Sequence, residues 1–179
     1  MSFVVFPAGP SDAEDLARVH VTSWRETYRG ILSDAYLARM SEPVYARRFT
    51  KTLLNPLPDD VTLAGADRMG LVGYVAGGPS RGGRKDEAEI ATLYVLREAQ
   101  GRGLGARLLA GAARAMAARG AATLMISVLR DNFLARGFYE HLGGQPDPPR
   151  REAGPGGQLL HEVAYRWPDI RTLIDKAGR

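Results

Sequence analysis

Three glycines at alternate positions, Gly101, Gly103 and Gly105, stand in the run Gln100-Gly-Arg-Gly-Leu-Gly-Ala106, directly before an alanine-rich stretch. Glycine leaves backbone N–H groups uncovered, and at the start of a helix those groups lack carbonyl partners and face the positive end of the helix dipole. Such a turn binds anions. A pyrophosphate suits it, because several N–H groups can donate to it at once while Arg102 or Arg107 neutralises the remaining charge. The same run also fits a dinucleotide fingerprint ending in alanine. Its context argues against that reading: Leu96 to Gln100 separate the turn from a strand ending at Val95, and the next strand, Thr123-Leu-Met-Ile-Ser-Val128, carries no acid to hold a ribose.

Other chemistries drop out by residue type. The sequence has no cysteine, which removes disulfides, thiolate zinc sites and a catalytic thiol. His20, His141 and His161 are scattered and form no H-E-x-x-H pair, so no metal is expected. Neither a G-x-S-x-G elbow nor a G-x-x-x-x-G-K-[ST] loop occurs. The 24 Lys and Arg against 20 Asp and Glu leave a net charge of +4, enough to favour an anionic ligand and too mild to imply nucleic acid. No apolar run approaches a membrane span, and the opening Met1-Ser-Phe-Val-Val-Phe-Pro7 lacks a basic leader, so the expected location is cytoplasmic.

The 179 residues suit a single domain over 1–179, large enough to bury a core without metal or disulfide. A first strand, Phe3 to Phe6, leads through the capping pattern Ser11-Asp-Ala-Glu14 into a helix over Asp12 to Tyr28. On it Leu16, His20, Trp24 and Tyr28 recur four apart and form a semi-aromatic face. Two helical pieces follow, Asp34 to Met40 and Pro43 to Leu54. Strands over Val61 to Ala66 and Leu71 to Ala76 form a hairpin across Asp67-Arg-Met-Gly70. Gly77 to Lys85, with four glycines and three cations, reads as a solvated loop, either a plain hairpin connection or a basic lip over the ligand site.

Glu89 to Val95 is the next strand, and the glycine turn then opens a helix from Gly103 to Arg119 that Gly120 stops. A strand over Thr123 to Val128, a helix over Asn132 to Leu142, a Pro/Gly/Arg-rich connection from Pro146 to Gln158, a strand over His161 to Trp167 and a short helix near Asp169 to Ile174 complete the chain. This order predicts an α/β (α+β) fold with a mixed, mostly antiparallel central sheet and helices on both faces.

Two stretches carry a resemblance. A strand ending Leu93-Tyr-Val95, followed by Gln100-Gly-Arg-Gly-Leu-Gly105, and then Asn132-Phe-Leu-Ala-Arg-Gly-Phe-Tyr-Glu-His-Leu-Gly143, resemble the paired motifs of the Gcn5-related N-acetyltransferases, the GNAT family. Ser23-Trp-Arg-Glu-Thr-Tyr-Arg-Gly30 is also similar to one subgroup of that family. Arg97 stands where the family commonly has proline, Gly144 where it commonly has Phe or Tyr, and Gly137 lies mid-helix at a cost of about 1 kcal/mol relative to alanine.

The resemblance implies the acyl-CoA N-acyltransferase type of fold, acetyl-CoA as donor and a small-molecule amine as acceptor, such as an amino acid, a polyamine or an amine-bearing antibiotic. It allows a homodimer and also leaves a protein amine as acceptor. Leu93, Tyr94, Val95, Gln100, Gly101, Arg102, Gly103, Leu104, Gly105, Ala106, Asn132 and Tyr139 would bind the cofactor. Asn132 would meet the pantetheine arm and Tyr139 the thioester sulfur. Backbone N–H groups near Leu93 to Val95 would polarise the carbonyl if the strand splays from its neighbour. Glu89, six residues before Val95, is the candidate base, acting through water because six strand residues span roughly 20 Å; a surface carboxylate is the alternative. Tyr139 is the candidate acid, or simply core. Trp24 and Tyr28 line the acceptor pocket or pack the core, and Glu162 and Tyr165 face either acceptor or solvent. An acyl-CoA-binding sensor without turnover is the competing function, and the presence of Tyr139 and Glu89 argues against it.

Overall fold

The computed structural model describes residues 2–82 and 84–178. Its elements in chain order are β1 (Val4–Pro7), α1 (Ala13–Thr27), α2 (Asp34–Arg39), α3 (Glu42–Leu54), β2 (Val61–Asp67), β3 (Gly70–Pro79), β4 (Glu87–Val95), α4 (Leu104–Ala117), β5 (Thr123–Leu129), α5 (Phe133–His141), β6 (Gln145–Pro146), β7 (Arg150–Ala153), β8 (Leu159–Trp167) and α6 (Ile170–Ala177). The strands form one sheet in the order β1-β2-β3-β4-β5-β8-β6, with β7 also on β8. Every pairing is antiparallel except β4 with β5. This is the mixed, mostly antiparallel sheet expected.

Helices cover both faces. On one face α4 packs against glycines of β2 and β3: a Cβ at Gly65 would lie 2.7 Å from Leu104, and one at Gly77 would lie 2.9 Å from Met116 and 2.2 Å from the Glu89 carbonyl. The missing side chains let the helix approach closely. Phe138 of α5 lies against Gly105 of α4, so α5 shares this face. On the opposite face α1 and α3 pack together, and Tyr74 of β3 reaches up to place its hydroxyl 2.6 Å from His20 Nδ1. Among the described residues no helix is long and apolar enough to cross a membrane.

Several boundaries differ from expectation for local reasons. The Ser11–Glu14 cap gives way to a 3-10 turn over Pro10–Asp12, in which the Gly9 N–H donates to Asp12 Oδ2 at 2.8 Å, and α1 starts one residue after Asp12. Gly77 and Gly78 belong to β3 and not to the loop, because their backbones pair with Ile90 and Glu89; Gly83 of that segment lies outside the described residues. The connection from Pro146 to Gln158 contains β7, which pairs through Ala153 with Leu159 despite its composition. Gly144 has a packing cause: a Cβ there would lie 2.9 Å from the Trp167 ring and 3.0 Å from the Tyr139 carbonyl. The Trp167 indole occupies the space and donates to the Leu142 carbonyl at 2.9 Å. Gly137 does not interrupt α5.

Candidate active-site cleft

The strand β4 does splay. Its parallel ladder with β5 runs only from Glu87↔Thr123 to Ile90↔Ile126, after which β4 stays with β3 while β5 follows β8. The turning point is a bulge: Ala76 pairs with Thr92 and Gly77 with Ile90, leaving Ala91 as the extra residue. A bulge bends its strand and strengthens the local twist, here parting β4 from β5. Beyond it, the Leu96 N–H donates to the Val72 carbonyl at 2.9 Å. Because successive residues of a strand face alternate sides, Tyr94 and Thr92 turn their backbone groups to β3, and Leu93 and Val95 turn theirs into the gap.

The gap is a cleft of about 120 Å³. Tyr28, Leu93, Tyr94, Val95, Gln100, Asn132 and Tyr139 line it, so the structure gathers these expected site residues around one space. Thr92 and Ser127 also line it and were not anticipated; the alternation of β4 would have found Thr92, but Ser127 enters only because the strands part.

At the mouth, Gly101 and Gly103 hold left-handed φ angles of +70° and +82°. This conformation is nearly free for glycine and strained for other residues. It turns the chain into α4, and among the described residues the N–H groups of 101–106 donate to no backbone carbonyl. Gln100 closes the turn by donating its side-chain amide to the Val95 carbonyl at 2.8 Å. Of the two expected counter-charges, Arg107 donates to the Phe3 carbonyl at 2.8 Å and the Arg102 guanidinium lies 4.8 Å from the Phe3 ring centre. Arg107 is therefore tied to the fold by a hydrogen bond, whereas Arg102, equally on the surface, rests against a ring.

Asn132 caps α5, its Oδ1 accepting from the Ala135 N–H at 3.2 Å, which directs its amide N–H₂ elsewhere. Tyr139 is 5 % exposed. Burial pushes its phenol far above the ordinary value, so it stays protonated at neutral pH. Tyr28 lies across from it with its hydroxyl 3.4 Å from that of Tyr94, and burial raises both phenols.

The expected acceptor-side residues divide. Trp24 does not line the cleft; it packs between His20 and Tyr28, with ring centres 5.4 and 5.0 Å away, and its buried Nε1 has no partner among the described residues. Tyr165 faces neither acceptor nor solvent: it is buried, donates to Glu140 Oε1 at 2.6 Å and accepts from Arg136 Nε at 3.1 Å. Glu89 is 8 % exposed and lies outside the cleft lining. Arg81 folds back across the hairpin to pair with it, adding its backbone N–H at 3.2 Å. Burial alone would raise the Glu89 pKa, but Arg81 overcomes it and holds the carboxyl below the ordinary range. Half-buried Glu162 shifts the other way: burial, then Glu152 and Glu89, raise it against the pull of Arg81.

The sequence model of the acetyltransferase (GNAT) family matches residues 21–144. The uncharacterized N-acetyltransferase YuaI of Bacillus subtilis is 29% identical over 167 residues, covering 90% of this chain and 91% of its own length. Among solved structures, the PaiA N-acetyltransferase of Thermoplasma acidophilum, in complex with coenzyme A, superposes with a TM-score of 0.73 at 22% identity, covering 93% of this chain and all of that one. YncA of Salmonella typhimurium, a putative acetyltransferase determined with acetyl-CoA, gives 0.69 at 16% identity and covers 95% of each chain. With the parted strands, the glycine turn and this match over most of its length, the chain belongs to the GNAT family of acetyltransferases.

Proposed function

We propose that the chain, as one N-acetyltransferase domain over residues 1–179, moves an acetyl group from acetyl-CoA to the primary amine of a small molecule by direct attack within a ternary complex. The observation that carries this reading is the early end of the β4–β5 ladder at Ile90 and Ile126, which leaves the backbone groups of Leu93 and Val95 facing a cleft that Tyr139 also lines. The complexes of the PaiA and YncA structures with coenzyme A and acetyl-CoA support the choice of donor.

The residues fit that donor. Free N–H groups at the start of α4 suit its pyrophosphate, and the Asn132 amide and the open edge of β4 suit the amide-bearing pantetheine arm. Acetyl-CoA supplies an activated thioester, whose acyl carbon accepts the amine as the C–S bond breaks. Leu93 N–H donates to the carbonyl oxygen as it gains charge. Tyr139 gives its proton to the departing sulfur and is reprotonated by the proton that the attacking nitrogen loses as the amide forms, and the apolar surroundings that disfavour a phenolate also disfavour a free thiolate. The acceptor arrives as an ammonium and must lose a proton first. Glu89 takes it through water, with Glu162 as the second carboxylate on the same face.

Calorimetric titration with acetyl-CoA, desulfo-CoA and NAD tests the reading. Micromolar acetyl-CoA binding that Gly103→Val weakens, with NAD silent, is the expected result. NAD binding without acetyl-CoA binding overturns it. Tight acetyl-CoA binding with no turnover on any amine makes the chain a sensor.

A further inference from the structure

A second cavity, of about 230 Å³, opens between α1, α3 and the strands β2–β4. His20 of α1, Tyr45, Phe49 and Leu53 of α3, Tyr74 of β3 and Thr92 of β4 line it. Thr92 lines the cleft as well, so the two spaces meet at one residue of β4. A row of rings joins them: Phe49 to Tyr74 at 5.5 Å, His20 to Tyr45 at 4.4 Å, His20 to Trp24 at 5.4 Å, and Trp24 to Tyr28 at 5.0 Å. Among the described residues that line this cavity there is no carboxylate. Its charged side chain is Arg48, whose guanidinium lies 5.1 Å from the Tyr45 ring centre.

We infer that this cavity holds the non-reacting body of the acceptor, and that the body is an aromatic or apolar group without a second positive charge: an arylalkyl monoamine of about the size of 2-phenylethylamine. The inference rests on the acetyl-transfer reading. Flat rings suit the tilted and edge-on ring geometry of the walls. A second ammonium would be desolvated beside Arg48 with no counter-ion to pair it. That disfavours polyamines and polycationic antibiotics among the small amines. Thr92 and Tyr28 lie where the amine end must cross from this cavity into the cleft.

Initial rates on the full chain at saturating acetyl-CoA, following CoA release with 2-phenylethylamine and with putrescine, test the inference. The expected kcat/KM for 2-phenylethylamine exceeds that for putrescine by about tenfold or more. Thr52, exposed at the cavity rim, tolerates replacement without disturbing the core, and Thr52→Trp should raise KM for 2-phenylethylamine about tenfold with kcat and acetyl-CoA affinity unchanged. Arg48→Glu should narrow the gap by improving putrescine. A preference for putrescine in the parent protein, or an unchanged KM in Thr52→Trp, overturns the inference while acetyl-CoA binding still stands. Calorimetry with 2-phenylethylamine alone keeps the two readings separate: binding that Thr52→Trp abolishes supports the cavity even if acetyl-CoA fails to bind, and no binding in either form overturns it.

Discussion

The two flanks of β4 are built to opposite ends. Toward β3 the ladder is continuous from Pro79↔Ala88 to Gly73↔Val95, interrupted by one bulge, and above it α1 is anchored by the bond between His20 and Tyr74. Toward β5 the ladder stops at Ile90, and the groups it would have used face a cleft with an open mouth. One strand thus carries stability on one edge and leaves donors free on the other. Unpaired backbone groups are costly when buried, so such a gap persists only where the rest of the sheet holds it open.

The largest expected effect lies on the closed flank. Burial, and then the nearby Arg48, lower the His20 pKa from 6.5 to about 4, equivalent to roughly 3 kcal/mol of stability. Between those values the unfolded chain binds the proton and the folded chain does not. Stability is therefore full above about pH 6.5 and falls as the pH drops toward 4. Denaturant unfolding across that range should show the slope, and His20→Leu should flatten it; an unchanged slope would remove His20 from the account.

On the open flank, Tyr139→Phe should lower kcat about 100-fold, within the usual range for general acid–base catalysis, while thermal unfolding moves little because among the described residues the hydroxyl has no hydrogen-bond partner to lose. Loss of stability with unchanged kcat would make Tyr139 part of the closed flank instead. Gly101→Ala is the next test. There is space for the methyl group, since nothing lies within 4 Å of its Cβ position, but φ of +70° makes it strained by about 1–2 kcal/mol. Acetyl-CoA affinity should fall about tenfold by calorimetry.

The smallest effect concerns the carboxylates. Arg81→Ala frees Glu89 from the partner that holds it low, so its pKa rises and the acid limb of the kcat/KM profile should move to higher pH. If the limb stays in place and Glu162→Gln abolishes it, Glu162 is the base.

Much of the open flank was legible in the chain. The alternate glycines, the Leu-Tyr-Val strand end and the Asn132-to-Tyr139 spacing are local patterns, and each now lies on the cleft or at its mouth. The pairing of Glu89 with Arg81 was less visible, although the two residues are eight apart in sequence and Arg81 lies in the turn that joins β3 to β4. β7 was hidden by its Pro- and Gly-rich surroundings, because its pairing depends on β8 and not on its own strand propensity.

By itself the sequence determined most of the helices and strands, though not β6 or β7, and where the glycine turn lies, because periodicity, capping and glycine conformation act over a few residues. Only the tertiary structure decided that β4 leaves β5 at Ile90, that Trp24 stays off the cleft while Tyr28 lines it, and that Thr92 is shared by two cavities. Those outcomes depend on pairings between residues far apart in the chain, and no local pattern encodes the point at which a shared ladder ends.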